Sequence, residues 1–380
     1  MSTTLLRHHL LAPAASCFLG VLSLATVLCF HFPELLTTRE FRAVYAEDFA
    51  RTLLLVGLAA AFFTGTIAVL RDQHRRLALT GVGTATVAVL LGGTGVPFEG
   101  PVPDSPFALG LDWFVLALFF SALVFIPLEH AFARRPVPVF RPGWRTDACY
   151  FFISHVLVQL ILILVTTSTS WLVSVPRWSS LSRPLMEAQQ AWIRDLPFVA
   201  AFALAVFLAD LAQAVLHRCY HRIMVLWRFH AVHHSSPELD WLAGSRVHFV
   251  ETVLTRSIVL LPLLFLGFST SVVNAYAVLV GIQAVVAHAN IGVRFGFLEY
   301  LIVLPRYHHW HHARHRDYWD RNYAIHLPVV DMLMGSFKLP RDGSWPEEYG
   351  VLKRETVPVG ILAQHVAPFR GPRTYDNYVR

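Results

Sequence analysis

Histidine is unevenly placed along this chain: of twenty in all, thirteen lie between residues 217 and 326. They arrive at helical spacing. His217 and His221 stand four apart, while His230, His233 and His234 fall at i, i+3 and i+4, as do His308, His311 and His312. Such spacing sets the imidazoles of each group on one helical face. Imidazole suits first-row transition metals, and eight such ligands exceed what one tetrahedral zinc takes. A lone histidine is most often a surface or capping residue; three sets, each adjoining an apolar segment, are not. The expected chemistry is that of two metal ions held almost entirely by histidine.

Two further imidazoles join the candidates by context. His288, in Ala287-His288-Ala289-Asn290, lies at the inner end of an apolar segment, at the same membrane depth as the clusters. His248, in Arg246-Val247-His248-Phe249-Val250-Glu251, is a ligand or a structural partner of Glu251. Asp210 precedes His217 by seven residues, on nearly the same helical face. A carboxylate inside a membrane helix is costly and usually partnered, so Asp210 is expected to orient a ligand imidazole through its other ring N–H. His309 projects about 100° from His308 on a helix and cannot share that face. His315 is a more remote contributor. Histidines 8, 9, 31, 74, 130, 155 and 365 are expected to be unrelated to the site.

The elements that must position these groups are membrane helices. Hydrophobic residues make up 55% of the 380 and charged residues 15%. Several uncharged runs reach the ~18–20 residues that cross a bilayer. Expected spans are Leu10–Phe32, Thr52–Leu70, Leu77–Val96, Phe107–Leu128, Cys149–Val175, Leu196–Leu216 and a tight hairpin over 257–292. That makes an all-α, polytopic bundle of about eight spans under a histidine-rich cap. The Arg71–Arg76 loop and the arginines at 134, 135, 141 and 145 mark the cytoplasmic side. The histidine clusters and both termini fall on that side. Pro176–Pro197 carries arginines on the opposite side and reads as an amphipathic interfacial helix. The formal charge of +6 reads as loop basicity facing anionic lipid, with no nucleic-acid module. Four cysteines without paired spacing are expected to be free thiols. The run after Arg7-His8-His9 reads as a retained anchor. Residues 1–105 form an N-terminal transmembrane region without an assigned role, 106–350 the functional domain with its core at 200–340, and 351–380 a cytoplasmic tail.

A resemblance enters with the full pattern. It runs Asp210…His217-Arg-x-x-His221, Leu226-Trp-Arg-Phe-His230-x-x-His233-His234-Ser, Arg246-x-His248-x-x-Glu251 and His288-x-Asn290. It continues through Pro305-x-x-His308-x-x-His311-His312, Asn322-Tyr323 and Asp331-x-x-x-Gly335. This resembles the fatty acid hydroxylase / sterol desaturase superfamily, over about residues 110–350. His288 is followed four residues later by Gly292 rather than a histidine, which favours the sterol desaturase-like branch. The resemblance implies a membrane-bound non-haem di-iron oxygenase that uses O2 to hydroxylate or desaturate a lipid or sterol-like substrate. Its ligands would be His217, His221, His230, His233, His234, His288, His308, His311 and His312. A tenth would be His248 or a water held by Asn290, with Asp210, Glu251 and Asn290 around the ligands. Electrons are expected from a separate cytochrome b5-like or ferredoxin/reductase protein. Arg228 and Arg246 are candidates for lipid headgroup contact. The competing class is a histidine-rich membrane metal transporter without redox catalysis. It would place its ligands near the bilayer midplane, whereas these clusters sit at helix ends.

Overall fold

The structure, a computed structural model, describes residues 3–38, 42–43, 46–97, 109–156, 161, 163–165, 167–168, 171, 183–351 and 357–370. It is helical throughout. Seven helices among the described residues are long and apolar enough to cross a membrane. They lie within α1 (Thr3–His31), α2 (Glu47–Leu70), α3 (Arg75–Leu90, continued to Gly95), α4 (Leu111–Ala131), α7 (Phe198–Arg222), α9 (Phe249–Leu266) and α10 (Thr270–His288). Between α4 and α7 stand α5 (Trp144–Val156) and α6 (Arg183–Asp195). The expected span over 149–175 starts in α5, and most of its remainder lies outside the described residues. All four cysteines are free.

The chain divides into two compact units, 1–120 with 155–160, and 121–154 with 161–380. In the first, α1, α2 and α3 pack through small residues. Lipid offers no hydrophobic drive between helices, so close backbone approach and van der Waals contact must hold them. A Cβ on Gly20 would stand 2.3 Å from the Gly81 carbonyl oxygen, and one on Gly81 2.3 Å from the Ser16 backbone. Ser16 Oγ donates across to the Ala61 carbonyl at 2.8 Å.

The second unit carries the histidines. α7 buries an alanine-rich face that includes Ala205, Ala209 and Ala214 and ends with His217 and Tyr220. The helix breaks at Ile223, which is extended, and α8 (Met224–His230) doubles back. The α9–α10 hairpin turns at Gly267, whose φ of +90° is left-handed, and α10 is capped by Ser269 Oγ. Last-turn carbonyls of a helix lack partners of their own; here Gln189 and Gln190 of α6 donate to those of Leu266 and Phe265 at 2.6 and 2.8 Å. α10 delivers His288 as its last residue, at the same end of the bundle as His217. α11 (Pro305–His311) and α12 (Pro328–Met334) follow. Tyr307, Trp310, Tyr323, Ala324 and Val330 form an apolar core beneath them.

Gly81→Leu is expected to destabilise the first unit by about 1–3 kcal/mol or more, the usual cost of overpacking. Thermal melting in detergent, with amide exchange rising in α1 and α3, reads it out.

Candidate metal centre

Two sets of ring nitrogens converge. His217, His221, His230, His234 and His311 form one group; His233, His288, His308 and His312 form the other. Within each group the candidate ligand atoms lie within 4.8 Å of one another. The inward atoms are Nε2 throughout. In the first group those of His217 and His230 are 3.0 Å apart, and those of His230–His221, His230–His234 and His311–His234 are each 3.1 Å apart. In the second, His288 Nε2 lies 3.3, 3.1 and 3.2 Å from those of His233, His308 and His312. All nine rings are buried except His221, which is half-buried.

The outward nitrogens decide what the inward ones are. His217 Nδ1–H donates to the Tyr323 carbonyl at 2.8 Å, and His311 Nδ1–H to the Arg321 carbonyl at 2.8 Å. His288 Nδ1–H donates to the Ala284 carbonyl at 2.8 Å, His233 Nδ1–H to the Arg246 carbonyl at 3.1 Å, and His230 Nδ1–H to Glu251 Oε1 at 2.7 Å. A neutral imidazole has one N–H. Once Nδ1 carries it, Nε2 is a bare lone pair, and lone pairs 3 Å apart repel unless they share a cation. Nitrogens about 2.0–2.1 Å from a common metal, at right angles to each other, would be separated by roughly this distance. The donor set therefore fits two metal ions.

Burial, reinforced by the facing imidazoles, holds His230, His233, His234, His308, His311 and His312 well below the ordinary imidazole range. They are neutral at physiological pH, as metal ligands must be.

The carbonyls that accept these protons are themselves held. Asp331 accepts from the backbone N–H groups of Tyr323 and Ala324 at 2.9 and 2.6 Å, and from the Tyr307 and Ser336 hydroxyls. Asn322, in the left-handed region with φ +61°, bonds the Tyr307 and Lys338 backbones. Behind His233 lies a buried ion network. Arg141 reaches Asp240 and Asp147 at 2.6–2.7 Å, Asp147 reaches Arg246 at 2.5 Å, and Arg246 also donates to Ser235 Oγ. Tyr323 stands in the motif and Arg141 among the loop arginines, but the sequence does not show the roles of Arg321, Tyr323 or Arg141 here, because a carbonyl is common to every residue and an arginine in a loop usually faces water.

Four expectations are corrected by position. His248 joins neither group: its Nδ1 caps α9 by accepting from Val250 N–H at 3.0 Å, and its Nε2–H donates to the His365 carbonyl at 3.2 Å. Asp210 touches no imidazole. It accepts the backbone N–H groups of Ile325, His326 and Leu327 at 2.7–3.2 Å and so steadies the loop that holds His217. Asn290 is engaged at both ends by the Arg135 backbone. Arg246 is buried in the ion network rather than turned to lipid, while Arg228 is half-buried. His309, set aside on geometry, bonds Tyr349 Oη and the His288 carbonyl.

The family model for fatty acid hydroxylase matches residues 202–336, a stretch that contains all nine converging histidines. This stretch resembles a fatty acid hydroxylase domain. It is similar to the ornithine lipid hydroxylase OlsE of Rhizobium tropici, 30% identical over 47% of this chain and 53% of that protein. The human alkylglycerol monooxygenase is 30% identical over 32% of this chain and 27% of its own length. A very-long-chain aldehyde decarbonylase of Oryza sativa subsp. indica is 26% identical over 32% and 20%. The chain thus spans about half or less of the curated relatives it matches. No solved structure matches it.

Metal analysis tests the two histidine groups separately. His217→Ala and His233→Ala should each take the metal-to-protein ratio toward half of the wild-type value, and His248→Ala should leave it unchanged. Glu251→Gln should weaken metal affinity about 10–100-fold, the usual effect of losing a ligand's outer partner. The depressed imidazoles also set a pH dependence. Below about pH 6.5 the unfolded chain takes up protons that these buried rings refuse, so stability falls as pH falls. The metal-free protein is expected to melt at steadily lower temperature between pH 7 and 5.

Proposed function

We propose that the protein is a membrane-bound di-iron oxygenase that hydroxylates a lipid. The observation that carries the reading is the convergence of nine Nε2 atoms in two groups, within a domain whose relatives are named as lipid hydroxylases and monooxygenases. Five ligands would fall to one iron and four to the other. Imidazoles, unlike thiolates, are not consumed by oxygen chemistry. Bound iron would supply O2 reduction and oxidation of an unactivated C–H bond. The balance is R–H + O2 + two electrons + two protons giving R–OH + H2O. A separate electron-donor protein is proposed as the source of the electrons.

The chain's own residues do the rest. Outward N–H bonds fix the orientation of five of the rings, so those ligand atoms need not reorganise during turnover. Glu251 Oε1 accepts the His230 Nδ1–H and makes that ring a stronger donor to metal. Close packing around the nine rings excludes water, which protects the oxidised site from side reactions. Apolar side chains such as Ile258, Phe265 and Ile282 are exposed on α9 and α10. A substrate chain in the bilayer meets this surface without crossing water.

Hydroxylation is proposed over desaturation because relatives with hydroxylase and monooxygenase names match here. Lipid mass spectrometry of cells with and without the gene, grown under ¹⁸O2, decides it. A product with one labelled oxygen is expected. A product two mass units lighter and unlabelled means desaturation. An unchanged lipidome with altered cellular metal content means metal transport.

The histidine cap is proposed to face the cytoplasm. In a cysteine-free background, single cysteines at exposed Asp342 and at Ser271, beside the α9–α10 turn, should label from opposite faces, Asp342 from inside. Label reaching both from one face overturns this topology.

A further inference from the structure

Outside both histidine groups, two polar side chains of the second unit meet, with a cationic one nearby. Tyr276, in α10, is fully buried, and its hydroxyl has no hydrogen-bond partner among the described residues. His326, 3% exposed, has neither ring nitrogen bonded. The two rings stand edge to face, 5.6 Å between centroids. Arg256, about two turns into α9 and half-buried, is near enough to both for its charge to act on them. It makes no ion pair or hydrogen bond with a described residue.

This grouping is costly as it stands. An intramembrane cation is retained with a counter-group, and a buried hydroxyl or imidazole without a partner loses the hydrogen bonds it had in water. The nearby carboxylate does not relieve it. Asp210 spends its oxygens on the backbone N–H groups of Ile325, His326 and Leu327. Burial, with Arg256 adding to it, holds His326 down at about 4; it is neutral at physiological pH and has one N–H to give. The guanidinium donors, the phenol O–H and the imidazole N–H together amount to several donors and one net positive charge. Their complement is a group with several oxygens and a negative charge. The flanking helices are apolar and open to lipid, so that group must arrive on a hydrocarbon chain.

We propose that Arg256, Tyr276 and His326 form a binding site for the oxyanion head, carboxylate or phosphate, of a single-chain lipid. That the bound lipid is also the substrate rests on the oxygenase reading; the site itself does not. His326 lies three residues beyond Tyr323, whose carbonyl holds His217. Asp210, which anchors the His326 backbone, precedes His217 by seven residues, roughly 10 Å along α7. A chain held by its head here passes the first histidine group some distance along its length, so oxidation falls at a carbon remote from the head.

The test uses the full chain, purified in non-ionic detergent and stripped of lipid. Palmitate, methyl palmitate and hexadecyl phosphate are the probes, read by equilibrium binding and by Tm, with metal content as a control. Palmitate, hexadecyl phosphate or both should bind and raise Tm, and the tighter of the two identifies the head. Methyl palmitate should bind at least about tenfold more weakly, and Arg256→Gln should weaken the charged probe by a similar factor. Tyr276→Phe removes only the unpartnered hydroxyl. It should reduce binding while leaving the ligand-free Tm unchanged or higher. The proposal is overturned if the methyl ester binds as well as the acid, if Arg256→Gln retains wild-type affinity, or if Tyr276→Phe lowers the ligand-free Tm as a structural residue would. The two readings fail separately. Probe binding that the variants abolish, without ¹⁸O product, keeps the site and removes the oxygenase; labelled product with unaffected binding does the reverse.

Discussion

Nine imidazole nitrogens pointed at two small volumes are the constraint around which the second unit is arranged. Imidazole can present a bare nitrogen only if its single proton is spent elsewhere, and a buried ring left to itself would turn until some partner took it. The fold fixes this from behind. Asp331 and Asp210 hold the 322–327 loop by its N–H groups, which sets the carbonyl that takes the His217 proton. The Arg141–Asp147–Arg246 network does the same for the segment that takes the proton of His233. Buried ion pairs are weak contributors to stability and better at fixing geometry. Here they fix the tautomer of a ring that they never touch.

The parts of this site legible in the sequence are those that obey a period. Helical spacing reveals the eight clustered histidines because shared faces leave a mark in the chain. His288 stands alone but was legible by its depth at the end of an apolar run. What escaped has no period. The Tyr323 and Arg321 carbonyls belong to residues whose side chains say nothing of their role, and the turn at Asn322 depends on a left-handed backbone. Asp210 was legible as a positioning group but not in its manner. Two helical turns separate it from His217, beyond the reach of so short a side chain, so it acts through the loop instead. His248 carried a ligand's neighbourhood, Arg246 and Glu251, yet sits where α9 needs a cap.

The two units solve different packing problems. Among α1, α2 and α3, glycine, alanine and serine bring backbones together because lipid rewards only contact. Around the histidines, interiors are polar and densely hydrogen-bonded. Seven of the spans were therefore readable from hydropathy, while the cap had to be read from donors and acceptors.

The ligands are scattered along the chain, and this has a bearing on biosynthesis. His217 and His221 leave the ribosome more than a hundred residues ahead of Asp331, whose carboxylate completes the support behind them. At about 5–20 residues per second, several seconds pass in which the early imidazoles have no enclosing partners and both ring nitrogens are free to bind whatever metal is at hand. Copper and zinc compete well for such open sites. A nascent chain of this design thus gains from quick membrane insertion and late metallation. Mis-loading, more than misfolding, is the failure to which its order of assembly exposes it.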